Sequence, residues 1–264
     1  MQLTHSIHGG QRAPLVVFLH GFLGSRADWR EATETLRGAY RCLAVDLPGH
    51  GGSVGGGDDD YTMQAAATAV IDLIDTCDAA SFSLVGYSMG GRLALYLASI
   101  YAMRIDAMVI ESASPGLRSQ AERGERRAAD ERWAAMLEDR GMAAFLDAWY
   151  EQPLFASLAA RPELLAHIKA GRMRNDPREL ARALHGMSVG NQPPMWDEWQ
   201  GNHIPSLVVA GESDSKYCAV AREMVGACGA AKIAIVSGAG HNVHEEAPDE
   251  YNDLIYAFLK AALK

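Results

Sequence analysis

Short, predominantly apolar runs recur along the chain, and longer segments of helical periodicity separate them. The runs occupy residues 15–19, 42–45, 82–85, 107–110, 206–210 and 232–236. Runs of this kind are typical of strands buried on both faces of a parallel sheet. Between them, the segment 62–77 places Ala65, Ala69 and Leu73 at helical spacing. This alternation predicts an α/β fold in which a mostly parallel sheet is flanked by helices.

The alternation stops after Glu111, and no strand pattern returns before about Ser188. In this interval the periodicity predicts only helices, at residues 122–137, 142–150, 162–170 and 177–186, with prolines between them. We therefore expect an all-helical cap at 112–200. The core of the protein would consist of residues 1–111 and 201–264.

One glycine-rich turn stands between a predicted strand and a predicted helix. It reads Gly86-Tyr87-Ser88-Met89-Gly90, and an apolar helical segment follows. A strand, a Gly-x-Ser-x-Gly turn and a helix in this order are typical of a nucleophile elbow. Side chains at Gly86 and Gly90 would collide with backbone in so sharp a turn. The elbow would lift the Ser88 hydroxyl clear of the sheet, although the same pattern also occurs in plain tight turns.

Three residues with complementary chemistry follow predicted strands: Ser88, Asp214 and His241. The carboxyl ends of parallel strands meet at one edge of a sheet, where ligands bind. The order serine, acid, histidine is that of α/β-hydrolases. We predict that His241 takes the Ser88 proton and that Asp214 fixes the tautomer of the imidazole.

Other histidines and acids compete for two of these roles. His244 is the main rival of His241, and His20 and His50 also lie in loops at the same edge. Glu111 and Glu212 compete with Asp214, because each ends or follows a predicted strand.

Two backbone amides are candidates for an oxyanion hole. The Met89 amide would begin the elbow helix, and the Phe22 amide follows His20-Gly21 in the loop after the first central strand. The alternative for the Phe22 loop is a plain turn.

Composition excludes several classes of function. The chain has 264 residues, 48% of them hydrophobic, and a net charge of −9 that argues against nucleic acid as the main partner. No apolar run approaches the ~20 residues of a membrane span, and residues 1–10 lack the apolar centre of a signal peptide. The four cysteines are scattered without metal-like spacing. We expect a cytoplasmic protein with reduced thiols and without a metal, cofactor or membrane partner; its oligomeric state stays open.

Arginine is concentrated in the predicted cap. Residues 112–200 contain 11 arginines and one lysine against 13 acidic residues, and the rest of the chain is strongly acidic. Most of these arginines would lie on solvated helix faces. A few could bind an anionic substrate, because the planar guanidinium contacts a carboxylate through two hydrogen bonds.

Several motifs resemble one family of α/β-hydrolases. The motifs are 18–22 (FLHGF), 45–53 (VDLPGHGGS), 85–92 (VGYSMGGR) and 211–217 (GESDSKY), with two cap stretches, 114–117 (SPGL) and 149–155 (WYEQPLF). Together they are similar to the 2-succinyl-6-hydroxy-2,4-cyclohexadiene-1-carboxylate synthases, which are lyases of menaquinone biosynthesis. The resemblance implies an α/β-hydrolase fold with the cap inserted after the sixth of eight strands.

The resemblance also implies a substrate and a mechanism. The family's substrate carries three carboxylates, and the reaction removes a proton and expels pyruvate without adding water. Ser88 would act as a general base through His241. Carboxylates would be bound by residues that match the family's substrate-binding positions, namely Tyr87, Arg92, Arg126, Trp149 and Arg172. Further basic residues surround Arg172, so the question of which arginine in that segment contacts the substrate stays open.

Two other functions use the same residues. A small-molecule carboxylesterase or a carbon–carbon bond hydrolase would need the same serine, acid and histidine, and the core does not distinguish them. A non-catalytic ligand-binding protein of this fold would have lost one of the three, whereas Ser88, Asp214 and His241 are all present.

Overall fold

The computed structural model describes every residue from Met1 to Lys264 and contains one seven-stranded sheet. The strands are β1 His5–His8, β2 Leu15–Leu19, β3 Arg41–Val45, β4 Phe82–Tyr87, β5 Ile105–Glu111, β6 Ser206–Gly211 and β7 Ala231–Val236. Their spatial order is β1-β3-β2-β4-β5-β6-β7, and only β1 runs antiparallel to its neighbour. The predicted α/β-hydrolase fold, with a mostly parallel sheet, is confirmed.

Alternate residues of the central strands face two separate apolar layers. In β2, Val17 and Leu19 belong to a cluster of 40 buried residues on one face of the sheet. Val16 and Phe18 belong to a cluster of 20 buried residues on the other face. Because helices cover both faces, every residue of β2 is buried, which accounts for its continuous apolar sequence.

Eleven α-helices complete the structure. They are α1 Arg30–Leu36, α2 Met63–Asp75, α3 Met89–Tyr101, α4 Gln120–Tyr150, α5 Ala156–Ala159, α6 Pro162–Arg172, α7 Pro177–Gly186, α8 Trp196–Gln200, α9 Ser215–Ala227, α10 Val243–Glu246 and α11 Pro248–Ala262. None of them is both long and apolar enough to span a membrane.

The segment between β5 and β6 contains five helices, α4 to α8, and no strand. This segment follows the fifth strand of the chain, whereas the expectation was an insertion after the sixth of eight strands. The sheet has only seven strands, and residues 1–4 form no strand. Gly141 interrupts α4 with φ 71° and ψ −179°, a conformation that favours glycine. A third apolar cluster of 13 buried residues lies mainly in this segment. The division into a core and a cap at 112–200 stays a prediction.

Candidate active site

Ser88 lies at the sharp turn between β4 and α3. Its φ of 49° and ψ of −106° are unusual for a residue with a side chain. Glycines make this turn sterically feasible. A Cβ atom at Gly90 would lie 2.0 Å from the Leu19 carbonyl oxygen, and one at Gly86 would lie 2.5 Å from the Gly90 oxygen. The turn leaves Ser88 half-buried at the carboxyl edge of the sheet, as a nucleophile elbow requires.

The structure brings Ser88, Asp214 and His241 together. The Nδ1 atom of His241 lies 2.7 Å from Oδ2 of Asp214, and its Nε2 atom lies 3.4 Å from Oγ of Ser88. Nδ1–H therefore donates to the carboxylate, which leaves Nε2 to accept the serine proton. The second oxygen of Asp214 accepts the Tyr217 amide at 3.1 Å. This contact fixes the carboxylate at the start of α9.

The histidines of the two glycine-rich loops are occupied elsewhere. His20 donates from Nδ1 to the Gly21 oxygen at 2.7 Å and accepts the Leu47 amide on Nε2 at 2.9 Å. His50 has the same arrangement with the Pro48 oxygen at 2.9 Å and the Leu23 amide at 3.2 Å. Burial lowers the pKa of both rings. Both are therefore neutral rings that fix loop backbone.

His244 and Glu111 form a second histidine–carboxylate pair, separate from that of His241 and Asp214. Nδ1 of His244 lies 2.9 Å from both oxygens of Glu111, whose Oε1 also accepts the His244 amide at 3.1 Å. The His244 ring stacks on Trp29 with 4.6 Å between centroids. Burial alone would lower the pKa of His244, but the Glu111 carboxylate outweighs burial and raises it. Glu212 accepts the Gly238 amide at 3.3 Å. None of these groups contacts the Ser88 hydroxyl, whose hydrogen bond is with His241.

The two candidate oxyanion donors have no acceptor within the protein. Neither the Phe22 amide nor the Met89 amide hydrogen-bonds to another protein atom. The Met89 amide is at the N-terminus of α3, where the helix dipole favours negative charge. The loop of Phe22 approaches the elbow closely, because a Cβ atom at Gly21 would lie 2.5 Å from the Tyr87 ring. Both donors are therefore available to an oxygen that becomes negative.

A cleft of about 730 Å³, including its part open to solvent, lies over these groups. Its lining is mostly apolar and is drawn from the elbow, the Phe22 loop and the helices α4 and α7. The predicted residues among this lining are Phe22, Tyr87, Ser88, Met89, Arg92, Arg126, Trp149 and His241. An apolar lining with a few polar and charged groups is typical of sites that bind small molecules.

Arg92 is buried in the cleft wall one turn into α3. It donates to the Met187 carbonyl oxygen at 2.9 Å and to Oε1 of Gln192 at 3.2 Å. Burial, together with repulsion from Arg126, lowers the pKa of Arg92 to about 10. The side chain still carries its charge at neutral pH, and it has further N–H groups for a ligand.

Arg126 enters the same cleft from α4. Its Nε atom donates to Oδ1 of Asp130 at 2.8 Å, and Oδ2 of Asp130 accepts the Ser188 hydroxyl at 2.6 Å. The Arg126 side chain is 37% exposed, whereas that of Asp130 is 3% exposed. Asp130 therefore orients the guanidinium from behind, and the terminal NH2 groups remain available to an anion.

Comparisons with known proteins show the family to which this chain belongs. Residues 16–254 match the Alpha/beta hydrolase family. A 2-succinyl-6-hydroxy-2,4-cyclohexadiene-1-carboxylate synthase of Salmonella agona is 35% identical over 264 residues, which cover 98% of this chain and 99% of the relative. The chain belongs to this synthase family. The structure of MenH from S. aureus matches 98% of the chain and 99% of its own length, with a TM-score of 0.94 and 31% identity.

An esterase shares the fold of this chain, although it belongs to another class of enzyme. A thermophilic esterase from Thermogutta terrifontis is 23% identical with a TM-score of 0.88, and the match covers 98% of this chain and 93% of the esterase. The fold alone therefore does not select the reaction. Side chains that line the cleft must do so.

Two aromatic residues that the synthase resemblance selects line the same cleft as Ser88 and His241. The Tyr87 hydroxyl donates to Oδ1 of Asn242, and burial raises the pKa of Tyr87. Trp149 packs against Phe22, with 5.3 Å between ring centroids, and stacks on Phe145 at 5.3 Å. Trp149 thus connects α4 to the Phe22 loop.

The structure does not bring Arg172 to the cleft, although the synthase resemblance implies that it binds substrate. Its NH1 atom lies 2.6 Å from Oδ1 of Asp28, and the two side chains are only 5% and 7% exposed. Burial alone would lower the pKa of Arg172, but the attraction of Asp28 outweighs burial and raises it. Ligand atoms of Asp28, His244 and Glu245 lie within 4.8 Å of one another, as metal ligands would. Arg172 already neutralises Asp28 there, so an ion-pair cluster fits the charges better than a cation site.

Sequence reasoning missed one cleft residue beside His241. The Tyr217 ring lies 4.8 Å from the His241 ring and lines the cleft. Burial raises the pKa of Tyr217, so the phenol is neutral and can donate a hydrogen bond. Its position three residues after Asp214 could have indicated this location, because Asp214 is the N-cap of α9, which carries Tyr217.

Proposed function

We propose that this protein is a carbon–oxygen lyase of menaquinone biosynthesis. It eliminates pyruvate from 2-succinyl-5-enolpyruvyl-6-hydroxy-3-cyclohexene-1-carboxylate and leaves 2-succinyl-6-hydroxy-2,4-cyclohexadiene-1-carboxylate. The observation that carries this proposal is the pair of arginines in the cleft, Arg92 and Arg126, beside the Ser88–His241–Asp214 arrangement. Full-length similarity to synthases of this name supports the same reaction.

The acidic proton of this substrate is the one on the ring carbon that carries the succinyl ketone. It lies next to a carbonyl and next to the ring double bond, so its removal gives a conjugated enolate. Ser88 takes this proton as its own hydroxyl proton passes to Nε2 of His241, and Asp214 stabilises the imidazolium. The enolate oxygen accepts hydrogen bonds from the N–H groups of Phe22 and Met89.

Collapse of the enolate completes the reaction. The electron pair returns through the ring double bond, a second ring double bond forms, and the carbon–oxygen bond to the enolpyruvyl group breaks. The proton held by His241 leaves with the released enolpyruvate, which becomes pyruvate. No water is consumed, and Ser88 forms no acyl intermediate.

The arginines suit this substrate better than they suit a simple ester. Three carboxylates lose hydration on entering the cleft, and charge-assisted hydrogen bonds must replace it. Arg92 on α3 and Arg126 on α4 both line the cleft, and both can make such bonds. An ester substrate needs the oxyanion donors and an apolar pocket, and it gains little from two guanidinium groups.

Parallel assays separate the lyase from the esterase alternative. The purified protein is given the enolpyruvyl tricarboxylate, and pyruvate is followed with lactate dehydrogenase; a second sample is given a p-nitrophenyl ester. We expect fast pyruvate release and slow ester cleavage. Efficient ester cleavage without pyruvate release would refute the lyase proposal and support a carboxylesterase.

A further inference from the structure

Three side chains outside the backbone turn that presents the Phe22 amide form hydrogen bonds with it. Gly24 N–H donates to the Gly21 oxygen at 3.0 Å, which closes a turn over residues 21–24. Leu23 occupies the third position of this turn with a φ of 69°. This is the pattern of a type II turn, in which glycine or asparagine is the usual third residue. Leucine is unfavourable there, so the surrounding structure must hold it.

The orientation of the Phe22 amide depends on this turn. The Gly21 oxygen and the Phe22 N–H belong to one trans peptide plane and point in opposite directions. His20 Nδ1 at 2.7 Å and Gly24 N at 3.0 Å both donate to the Gly21 oxygen. Their hydrogen bonds fix the plane, and therefore the direction of the Phe22 N–H.

Both backbone polar groups of Leu23 form hydrogen bonds with side chains from other segments. Its N–H donates to Nε2 of His50 at 3.2 Å, and its carbonyl oxygen accepts Nδ2 of Asn175 at 2.8 Å. Oδ1 of Asn175 accepts the Gly51 amide at 2.9 Å. Asn175 is buried, and it follows α6 in the predicted cap. One amide side chain from that segment thus joins the Phe22 turn to the loop that carries His50.

Two further contacts tie the same turn to the cap. The Leu23 side chain is fully buried in the apolar cluster that contains Phe145 and Leu180. Three residues before Asn175, Arg172 pairs with Asp28, which lies a few residues beyond the turn. The last residue of α6 and the residues just after it therefore make two contacts, one with Leu23 in the Phe22 turn and one with Asp28 beyond it.

We propose that Asn175 is a positioning residue for the oxyanion hole. It holds Leu23 in its left-handed conformation so that the Phe22 amide faces the reacting oxygen. Because Asn175 belongs to the predicted cap, the direction of this amide then depends on the position of the cap segment. The inference rests on the proposed oxyanion role of Phe22. It does not depend on the substrate, because elimination and ester cleavage both generate a negative oxygen near Ser88.

The test compares Asn175→Ala with a matched control, Asn202→Ala. The Asn202 side chain makes the same two kinds of hydrogen bond. Its Nδ2 atom donates to the Ile204 carbonyl oxygen at 3.1 Å, and its Oδ1 atom accepts the Ile204 N–H at 3.1 Å. It lies before β6, at the end of that strand opposite the catalytic edge. A third variant, Asn175→Asp, retains an acceptor for Gly51 but loses the donor to Leu23.

The first readout is independent of the physiological substrate. A fluorophosphonate forms a bond between phosphorus and Oγ of Ser88 and expels fluoride, while the serine proton passes to His241; its phosphoryl oxygen uses the oxyanion donors. Labelling is followed by intact mass at a temperature at which circular dichroism shows every variant to be folded. The second readout is kcat and KM for pyruvate release from the enolpyruvyl tricarboxylate.

We expect Asn175→Ala and Asn175→Asp to slow labelling and kcat by about tenfold to a hundredfold, with KM changed by less than about threefold. Asn202→Ala should retain both parental rates, even if its thermal midpoint falls. Parental labelling rates in both Asn175 variants would overturn the proposal, as would an equal loss of rate in Asn202→Ala. If the parent released no pyruvate but labelling still depended on Asn175, the lyase function would fail and the positioning role would stand.

Discussion

The Nε2 atom of His241 lies 3.4 Å from the Oγ atom of Ser88. On the other side of the same ring, Asp214 accepts Nδ1–H at 2.7 Å. The tautomer is thereby set for proton uptake from the serine, and two unpaired backbone amides lie nearby. In this arrangement Ser88 can act either as a general base or as a nucleophile. The chemistry of the bound substrate therefore decides which reaction follows.

Ser88→Ala removes the group that takes the substrate proton. We expect kcat for pyruvate release to fall by about a thousandfold or more, while calorimetry still detects substrate binding, because the arginine contacts remain. Ser99→Ala is the control, since the Ser99 hydroxyl is exposed and bonds only the Tyr96 oxygen. Near-parental turnover in Ser88→Ala would remove Ser88 from the mechanism.

The two histidine–carboxylate pairs make different predictions. Asp214→Asn should retain the fold and lower kcat by about three to four orders of magnitude, because it favours the wrong tautomer of His241. Glu111→Gln should instead lower the thermal midpoint and leave kcat within about tenfold, because Glu111 contacts His244 and not the His241 ring. If kcat proved sensitive to Glu111→Gln and not to Asp214→Asn, the acid would have been misassigned.

Arg172 should matter to stability more than to substrate affinity. Arg172→Met leaves the buried Asp28 carboxylate without its partner, which should cost about 3–5 kcal/mol of unfolding free energy in urea. Adding Asp28→Leu to this variant should restore part of the loss. KM for the tricarboxylate should change by less than about threefold. A tenfold rise in KM with parental stability would instead place Arg172 in contact with substrate.

His244 should give the protein a pH-dependent stability. Burial would lower its pKa, but Glu111 raises it, so the folded state favours the protonated ring. This contribution is complete below the unfolded-state pKa of about 6.5 and is lost as pH rises through the raised folded-state value. The unfolding free energy should therefore fall more between about pH 6 and pH 9 in the parent than in His244→Gln. His8→Gln, at an exposed position, should behave like the parent; an identical pH dependence in His244→Gln would contradict the assignment.

Arg92 and Arg126 should determine recognition of the tricarboxylate. Each charge-assisted contact is worth about 1.5–3 kcal/mol, so Arg92→Ala and Arg126→Ala should each raise KM by roughly tenfold to a hundredfold. Lysine at either position should rescue only partly, because it lacks the paired N–H geometry. Added salt should raise KM more in the parent than in the variants. Turnover of a p-nitrophenyl ester is the control, and its parallel loss would indicate damage to the site as a whole.

Much of the fold follows from local sequence. The apolar run of β2 and the glycines at 86 and 90 each dictate structure within a few residues, so strand and elbow could be predicted. The break in α4 at Gly141 falls between two helices predicted at 122–137 and 142–150. Helix periodicity and glycine content are sufficient for such features.

Contacts between distant segments could not be predicted in the same way. Arg172 and Asp28 are 144 residues apart, and Asn175 and Leu23 are 152 residues apart. An arginine in a basic, helical segment gives no local sign of whether it meets a substrate or a buried carboxylate. The left-handed φ of Leu23 was equally hidden, because leucine is not a residue that signals that conformation.

The mass of the ring product tests the central claim most directly. The purified protein is incubated with the enolpyruvyl tricarboxylate, and the ring product is analysed by mass spectrometry as pyruvate accumulates. Elimination through Ser88 and His241 predicts one pyruvate per ring product and a cyclohexadiene with no added water. A ring product heavier by one water molecule would show that the enolpyruvyl group leaves by hydrolysis, and it would contradict the lyase account.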